Sequence, residues 1–309
     1  MIINAYERWL PAKEYLNHLR KHSSSIHELV DEECLAALDN VEAQYGELRS
    51  SRAGLEVRLG SQQRNVDYIL CTTDGSPFPG SAIWFEMDYQ AFCEPGEVSP
   101  CLFLNTWAAS DEEYPVAWWD QALEFVAGVG RTSRLRQGLL DVIERLPQGV
   151  CVKQIGAMAR PGEENSLRIV LMFLDWEQVP ETMQTICWPG DTKALATTLA
   201  AYADMEWMGV NLDLDERGIR QKTSVELGPR WRHPRLVDRM VYRLERSGLC
   251  LPQKGDALHR WVRIPPDADP FIQTTISHYK LGFENGKVSE AKAYLQQTPY
   301  PLHRLYPKD

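Results

Sequence analysis

Phe271 to Leu295 reads FIQTTISHYKLGFENGKVSEAKAYL, a stretch that specifies a two-faced β-hairpin. Glu284-Asn285-Gly286-Lys287 supplies the turn, because Asn-Gly tolerates the positive φ that a tight hairpin demands. Side chains alternate across a strand, so Tyr279, Leu281 and Phe283 share one face while Ile276, His278 and Lys280 share the other. On the return strand Ala291, Ala293 and Leu295 form the apolar set, and Lys292 and Tyr294 the polar set. A bulge or longer loop would set Lys292 against His278 and Glu290 against Lys280, leaving the two lysines within neighbouring rungs. Two ammonium groups that close repel unless solvent or a bound anion relieves them. The charge of Lys292 is therefore expected to be dispensable for the fold. Such a hairpin either turns its cations to solvent or lines an interior suited to negative charge.

Outward from this hairpin the same two-faced pattern recurs. Residues 4–21 and 27–45 carry helical apolar spacing, broken by Ser23-Ser24-Ser25. Leu55 to Leu59 alternates strictly, with Glu56 and Arg58 opposite the apolar set, and Val66 to Cys71 is the return strand. Ala82 to Tyr89 is a further strand, with Cys101 to Leu104 as its neighbour. Helical spacing returns over Val116 to Val126 and Leu135 to Leu146. Strands Val150 to Ala159 and Leu167 to Leu174 flank the turn 161–165. An alanine-rich helix over Asp191 to Met205 precedes a third hairpin, Met208 to Asp215 and Ile219 to Leu227. Pro234 to Arg246 is a helix opened by proline, and residues 255–262 form a short helical turn. Helices and hairpins thus alternate as α-α-β-β units. Such units close into an antiparallel barrel with the helices outside, an α+β fold read here as one domain over residues 1–309.

Composition sets further bounds. The 309 residues are 44% hydrophobic and 25% charged, with a formal net charge of -10. That charge argues against nucleic acid or an anionic membrane as partner. No segment is long and apolar enough for a signal peptide or a membrane span, so a cytoplasmic location is expected. Seven cysteines are scattered without a C-x-x-C pair, as small buried thiols would be. His18 and His22 lie one helical turn apart, and Asp213-x-Asp215 pairs two carboxylates. Both sets lack the neighbouring residues that a metal motif requires, so no metal site is assigned.

The polar strand faces collect Glu56, Arg58, Arg168, Arg220, Lys222, His278, Lys280, Lys292 and Tyr294 from four hairpins. In an open sheet they would be a solvated face. In a barrel they meet in one lumen, and clustered cations with a phenol suit a diphosphate and its departure as a leaving group.

The α-α-β-β order, with the Arg220-x-Lys222 and Lys292-x-Tyr294 pairs on inward faces, resembles the aromatic prenyltransferases of the prenyltransferase-barrel (ABBA) type, including relatives that modify peptides. The resemblance implies that Arg58, Arg168, Arg220, Lys222, Lys280, Lys292 and Tyr294 shield an allylic diphosphate. By the same likeness, Glu56 on an early strand accepts a proton or orients the nucleophile, and His278 is a further lumen residue. It implies an allylic diphosphate and a peptide or aromatic acceptor as partners. No cofactor is required in that reading, with Mg2+ accompanying the diphosphate as the variant. The tyrosine shield is thin, since Ser224 and Gly282 stand two residues after Lys222 and Lys280. The alternative is a barrel without catalysis that binds a peptide or partner protein in a biosynthetic pathway.

Overall fold

A computed structural model describes residues 9–73, 76, 78, 81–106, 115–128, 133–157, 166–173, 175–228, 234–265 and 272–299. The expected turn at 161–165, the start of the first helix at 4–8 and parts of the loop 76–80 lie outside these residues. Two short strands, β1 (Leu10–Pro11) and β2 (Arg49–Ser50), pair with each other. Ten more form one closed antiparallel sheet: β3 (Arg52–Arg58), β4 (Val66–Thr72), β5 (Ile83–Met87), β6 (Cys101–Asn105), β7 (Cys151–Ala157), β8 (Leu167–Phe173), β9 (Trp207–Asp215), β10 (Gly218–Gly228), β11 (Ile272–Glu284) and β12 (Lys287–Pro299). Sequence neighbours pair all the way round, and β12 closes on β3 with Lys292 opposite Arg58 and Tyr294 opposite Glu56. Closure removes the free edges that an open sheet would expose.

Helices form where apolar residues recur at three and four. α1 (Ala12–Lys21) buries Tyr15, Leu16 and Leu19, and α2 (Glu32–Tyr45) buries Cys34, Leu38 and Val41. The Asp31 side chain caps α2 at the Cys34 N–H, so that helix begins later than residue 27. α3 (Tyr89–Phe92) is a single turn, and α4 (Val116–Ala127) and α5 (Ser133–Arg145) follow the expected spacing. The sequence reading omitted α6 (Gln178–Thr185), while α7 (Thr192–Ala200) starts at its Asp191 cap and ends earlier than expected. α8 (Pro234–Arg246) matches, and the short helical turn is the ten-residue α9 (Pro252–Trp261). Leu55, Val57, Leu281, Ala291, Ala293 and Leu295 pack outward against helix residues such as Leu16, Leu139, Met240 and Trp261 in one continuous core. The core is therefore the shell between barrel and helices, and the polar faces are left to the lumen.

The bulges decide which side chains enter that lumen. Asn285 and Gly286 take φ of 52° and 75°, so the last hairpin is a two-residue turn closing Glu284 on Lys287. An unpaired Ser289 then shifts the return strand, which sets Lys280 directly opposite Lys292 and His278 opposite Tyr294. This corrects the expected pairing of Lys292 with His278. A second irregularity at Ser277 turns Ile276 to the outer face beside Leu295, away from His278 and Lys280.

Candidate active site

Within the lumen β3, β4 and β5 supply Glu56, Asp67 and Glu86, each from an inward position. One carboxylate oxygen from each falls within 4.8 Å of the others, and all three side chains are buried. Lys280 and Lys292 face them from β11 and β12. The Lys292 Nζ donates to Glu56 Oε1 at 2.6 Å, and the Tyr294 hydroxyl donates to Glu56 Oε2. Burial opposes the charge of Lys292, but Glu56 outweighs it and raises its pKa above the ordinary lysine value. Lys292 is thus a buried ion-pair partner, and Glu56 supplies the relief of the lysine–lysine repulsion that the sequence left to solvent or a bound anion.

Lys280 is placed differently. Its Nζ donates to the Tyr294 hydroxyl at 3.2 Å and lies 5.7 Å from the centre of that ring. Among the described residues no carboxylate oxygen approaches Lys280 within salt-bridge distance, although the residue is only 8% exposed. Burial and the charge of Arg168 push its pKa below the ordinary value. Lys280 lines a cavity of about 90 Å3 together with Arg168, Lys222, Lys292, Asp213 and Glu290. Asp213, Glu290 and Glu56 stand against Arg168, Lys222 and Lys292, so Lys280 leaves that space one positive charge in surplus, and its volume suits one phosphate group or a few waters.

No protein-family model and no curated protein matches the sequence. Solved structures do match. The chain is similar over 93% of its length to the prenyltransferase PriB in its apo form, with 94% of that chain covered, a TM-score of 0.55 and 13% identity. A 5-dimethylallyltryptophan synthase from Streptomyces coelicolor matches over 92% of this chain and 96% of its own, with TM-score 0.55 and 13% identity. PriB in a binary complex with product diphosphate matches over 93% and 94%, with TM-score 0.51 and 14% identity. The fold is the prenyltransferase barrel.

Not every residue expected in this prenyltransferase barrel reaches the cavity. Arg168 does, held on Asp213 by two hydrogen bonds of 2.7 and 2.9 Å. Lys222 reaches it too, more than half exposed and 3.9 Å from Glu290. Arg58 stands beside Lys292 across the β3–β12 rung, 3.7 Å from Asp67. Arg220 is pinned to Asp215 at the hairpin end, 3.0 Å away, because residues 220–222 bulge out of the β9–β10 ladder. His278 stacks on Tyr294 with ring centres 4.0 Å apart. Burial pushes its pKa down to about 4, so it is neutral at pH 7 and is no diphosphate cation. Asp213 and Asp215 serve arginines and do not converge as a metal pair.

The sequence gives no sign of Asp67 in the lumen and leaves Lys153 ambiguous, since strict alternation sets it with Ile155 and Ala157. Lys153 shares its strand with outward Ile155 and Ala157, but a bulge turns it inward to Glu226 at 3.2 Å and over the Trp207 ring at 4.6 Å. Burial opposes ionisation of Glu226, yet Lys153 and a hydrogen bond from Asn211 help hold its pKa well below the usual carboxylate range. Asp67 moves the other way: burial, then the charges of Glu56, Asp88 and Glu86, push it up to about 7. Lys254 on α9 donates to the carbonyls of Arg58 and Gln63 at 2.6 and 2.5 Å, fixing the turn that follows Arg58. Among the described residues, no helix is long and apolar enough to cross a membrane.

Proposed function

We propose that this barrel binds an allylic diphosphate and transfers its prenyl group to a peptide or aromatic acceptor. The observation that carries the reading is Lys280, a buried ammonium without a carboxylate partner among the described residues, opening on a positive cavity with Arg168, Lys222 and Lys292. A buried charge left in this state favours an anion. In the reaction the bond between the allylic carbon and the diphosphate oxygen breaks, and the electron pair leaves with the diphosphate. Lys280 stabilises that developing charge, with Arg168, Lys222 and the Glu56-paired Lys292 around it and Tyr294 as the shield at their base. The acceptor forms a bond to the allylic carbon and gives up a proton, for which Glu56 is the carboxylate at hand. Arg58 and Arg220 flank the site and steer the anion to it.

In this reading the protein's own cations take the role of a metal. Glu56, Asp67 and Glu86 form an oxygen set that suits a hard divalent cation, with Glu56 already bonded to Lys292 and Tyr294. Activity is expected in the presence of EDTA, with Mg2+ acting only through the diphosphate. A second reading has its own support, since Lys292, Arg168, Arg220 and Arg58 all carry carboxylate partners. Under it the barrel binds a peptide or partner protein without chemistry. Incubation with dimethylallyl or geranyl diphosphate and aromatic or peptide acceptors separates the two. Diphosphate release with a prenylated product by mass spectrometry supports transfer. Peptide binding with neither donor binding nor release supports the second reading.

A further inference from the structure

The cationic cavity holds one carboxylate that the proposed reaction leaves without a task. Gly282 on β11 lies between Ser224 on β10 and Glu290 on β12, each directly opposite it in the sheet. Its backbone is ordinary strand without a positive φ, so no turn calls for glycine there. What calls for it is Glu290. A Cβ built on Gly282 would stand 2.6 Å from the Glu290 Cγ and 2.9 Å from its Oε1, closer than such atoms approach. The Glu290 side chain therefore lies across β11 in the space that glycine leaves, and its Oε1 comes within 3.9 Å of the Lys222 Nζ on β10. Neighbouring strands are about 4.8 Å apart, so this carboxylate spans two of them because the strand between carries no side chain at that point. It also acts on the other side of the cavity. Burial lowers the pKa of Lys292, Glu56 raises it, and the charge of Glu290 raises it further.

Asp213 and Glu290 both line the cavity, and they are held differently. Asp213 takes two hydrogen bonds from Arg168, and its side chain is 16% exposed. Glu290 is 38% exposed, and its contact with Lys222 is too long for a hydrogen bond. A partly exposed ion pair of this kind contributes little to stability, so the Glu290 carboxylate can leave the cavity without weakening the fold. While it stays, it takes room beside the cations and repels an entering anion. A diphosphate offers Lys222 and Lys292 a more highly charged partner than one carboxylate.

We infer that Glu290 is the resident counter-anion of the cavity, seated over Gly282 against Lys222 in the free protein and displaced to solvent when a diphosphate enters, so that it sets the affinity and the charge selectivity of the site. The inference rests on the diphosphate half of the proposed function and deepens it. The test is calorimetric titration of inorganic pyrophosphate and of orthophosphate into the wild type, Glu290→Gln and Glu177→Gln. Glu290→Gln keeps the shape and removes the charge, and its unfolding midpoint should match the wild type. Glu177, an exposed residue at the start of α6, controls for net charge. Glu290→Gln is expected to bind pyrophosphate about tenfold more tightly than the wild type, with a smaller gain for orthophosphate, and the gain should shrink at high salt. Glu177→Gln should bind as the wild type does. Unchanged or weakened pyrophosphate binding in Glu290→Gln, an equal gain in Glu177→Gln, or a gain as large for orthophosphate overturns the inference. Turnover of dimethylallyl diphosphate is measured alongside. Pyrophosphate binding that is the same in wild type and Glu290→Gln removes the counter-anion alone. Absence of pyrophosphate binding in both removes the diphosphate reading and the counter-anion with it. Tighter pyrophosphate binding in Glu290→Gln without turnover removes the transferase reading and leaves the counter-anion standing.

Discussion

Two lysines face each other on one rung of the last hairpin and line the same cavity, yet they are partnered differently. Lys292 leans across to the carboxylate wall of β3, β4 and β5 and is neutralised there by Glu56. Lys280 faces the cavity that both lysines line and bonds only the Tyr294 hydroxyl among the described residues. Identical chemistry at adjacent positions therefore yields one structural cation and one suited to a ligand. The lesson is that a count of inward cations overstates an anion site, and the surplus left after internal pairing is the informative quantity.

The largest effect that tests this contrast is on stability. Replacing Lys292 by Met leaves the Glu56 carboxylate buried without its ammonium, and should cost about 3–5 kcal/mol in chemical denaturation. An unchanged unfolding midpoint would show that Glu56 does not depend on Lys292. Asp67 comes next, and its effect depends on pH. Its folded-state pKa is raised from 3.8 to about 7. The associated stabilisation is full below about pH 4 and is lost as pH rises to about 7. Asp67→Asn removes the titration, so the variant should gain on the wild type by on the order of 4 kcal/mol between pH 4 and pH 8. A difference that stays flat with pH contradicts the crowding of Glu56, Asp67 and Glu86. The smallest effect belongs to Arg220, a partly exposed partner of Asp215 at a hairpin end. Arg220→Met should change stability by less than about 1 kcal/mol and alter diphosphate affinity little. A large loss of affinity would bring Arg220 into the site.

The outer face of the barrel is legible in the sequence because it obeys a period of two against helices of period 3.6, as at Leu55, Val57, Ala293 and Leu295. The inner face is less so. β4 is buried at all seven positions, which hides Asp67 in an apolar run and gives no sign that it meets Glu56 and Glu86. Bulges at Lys153, Ser277 and Ser289 break the alternation, and so strict alternation puts Lys153 with the outward Ile155 and Ala157 and sets Ile276 on the wrong face. The Lys292–Glu56 pair spans 236 residues and exists only because β12 closes on β3. Nothing local in either segment encodes it.

The account stands on Lys280 as the surplus cation of a diphosphate site. Calorimetric titration of dimethylallyl diphosphate into the wild type and into Lys280→Met tests it most directly. The wild type should bind, and the variant should fold with equal or slightly greater stability while its affinity falls at least tenfold. Binding that survives the loss of Lys280, or a Lys280→Met protein that is itself destabilised, would contradict the account.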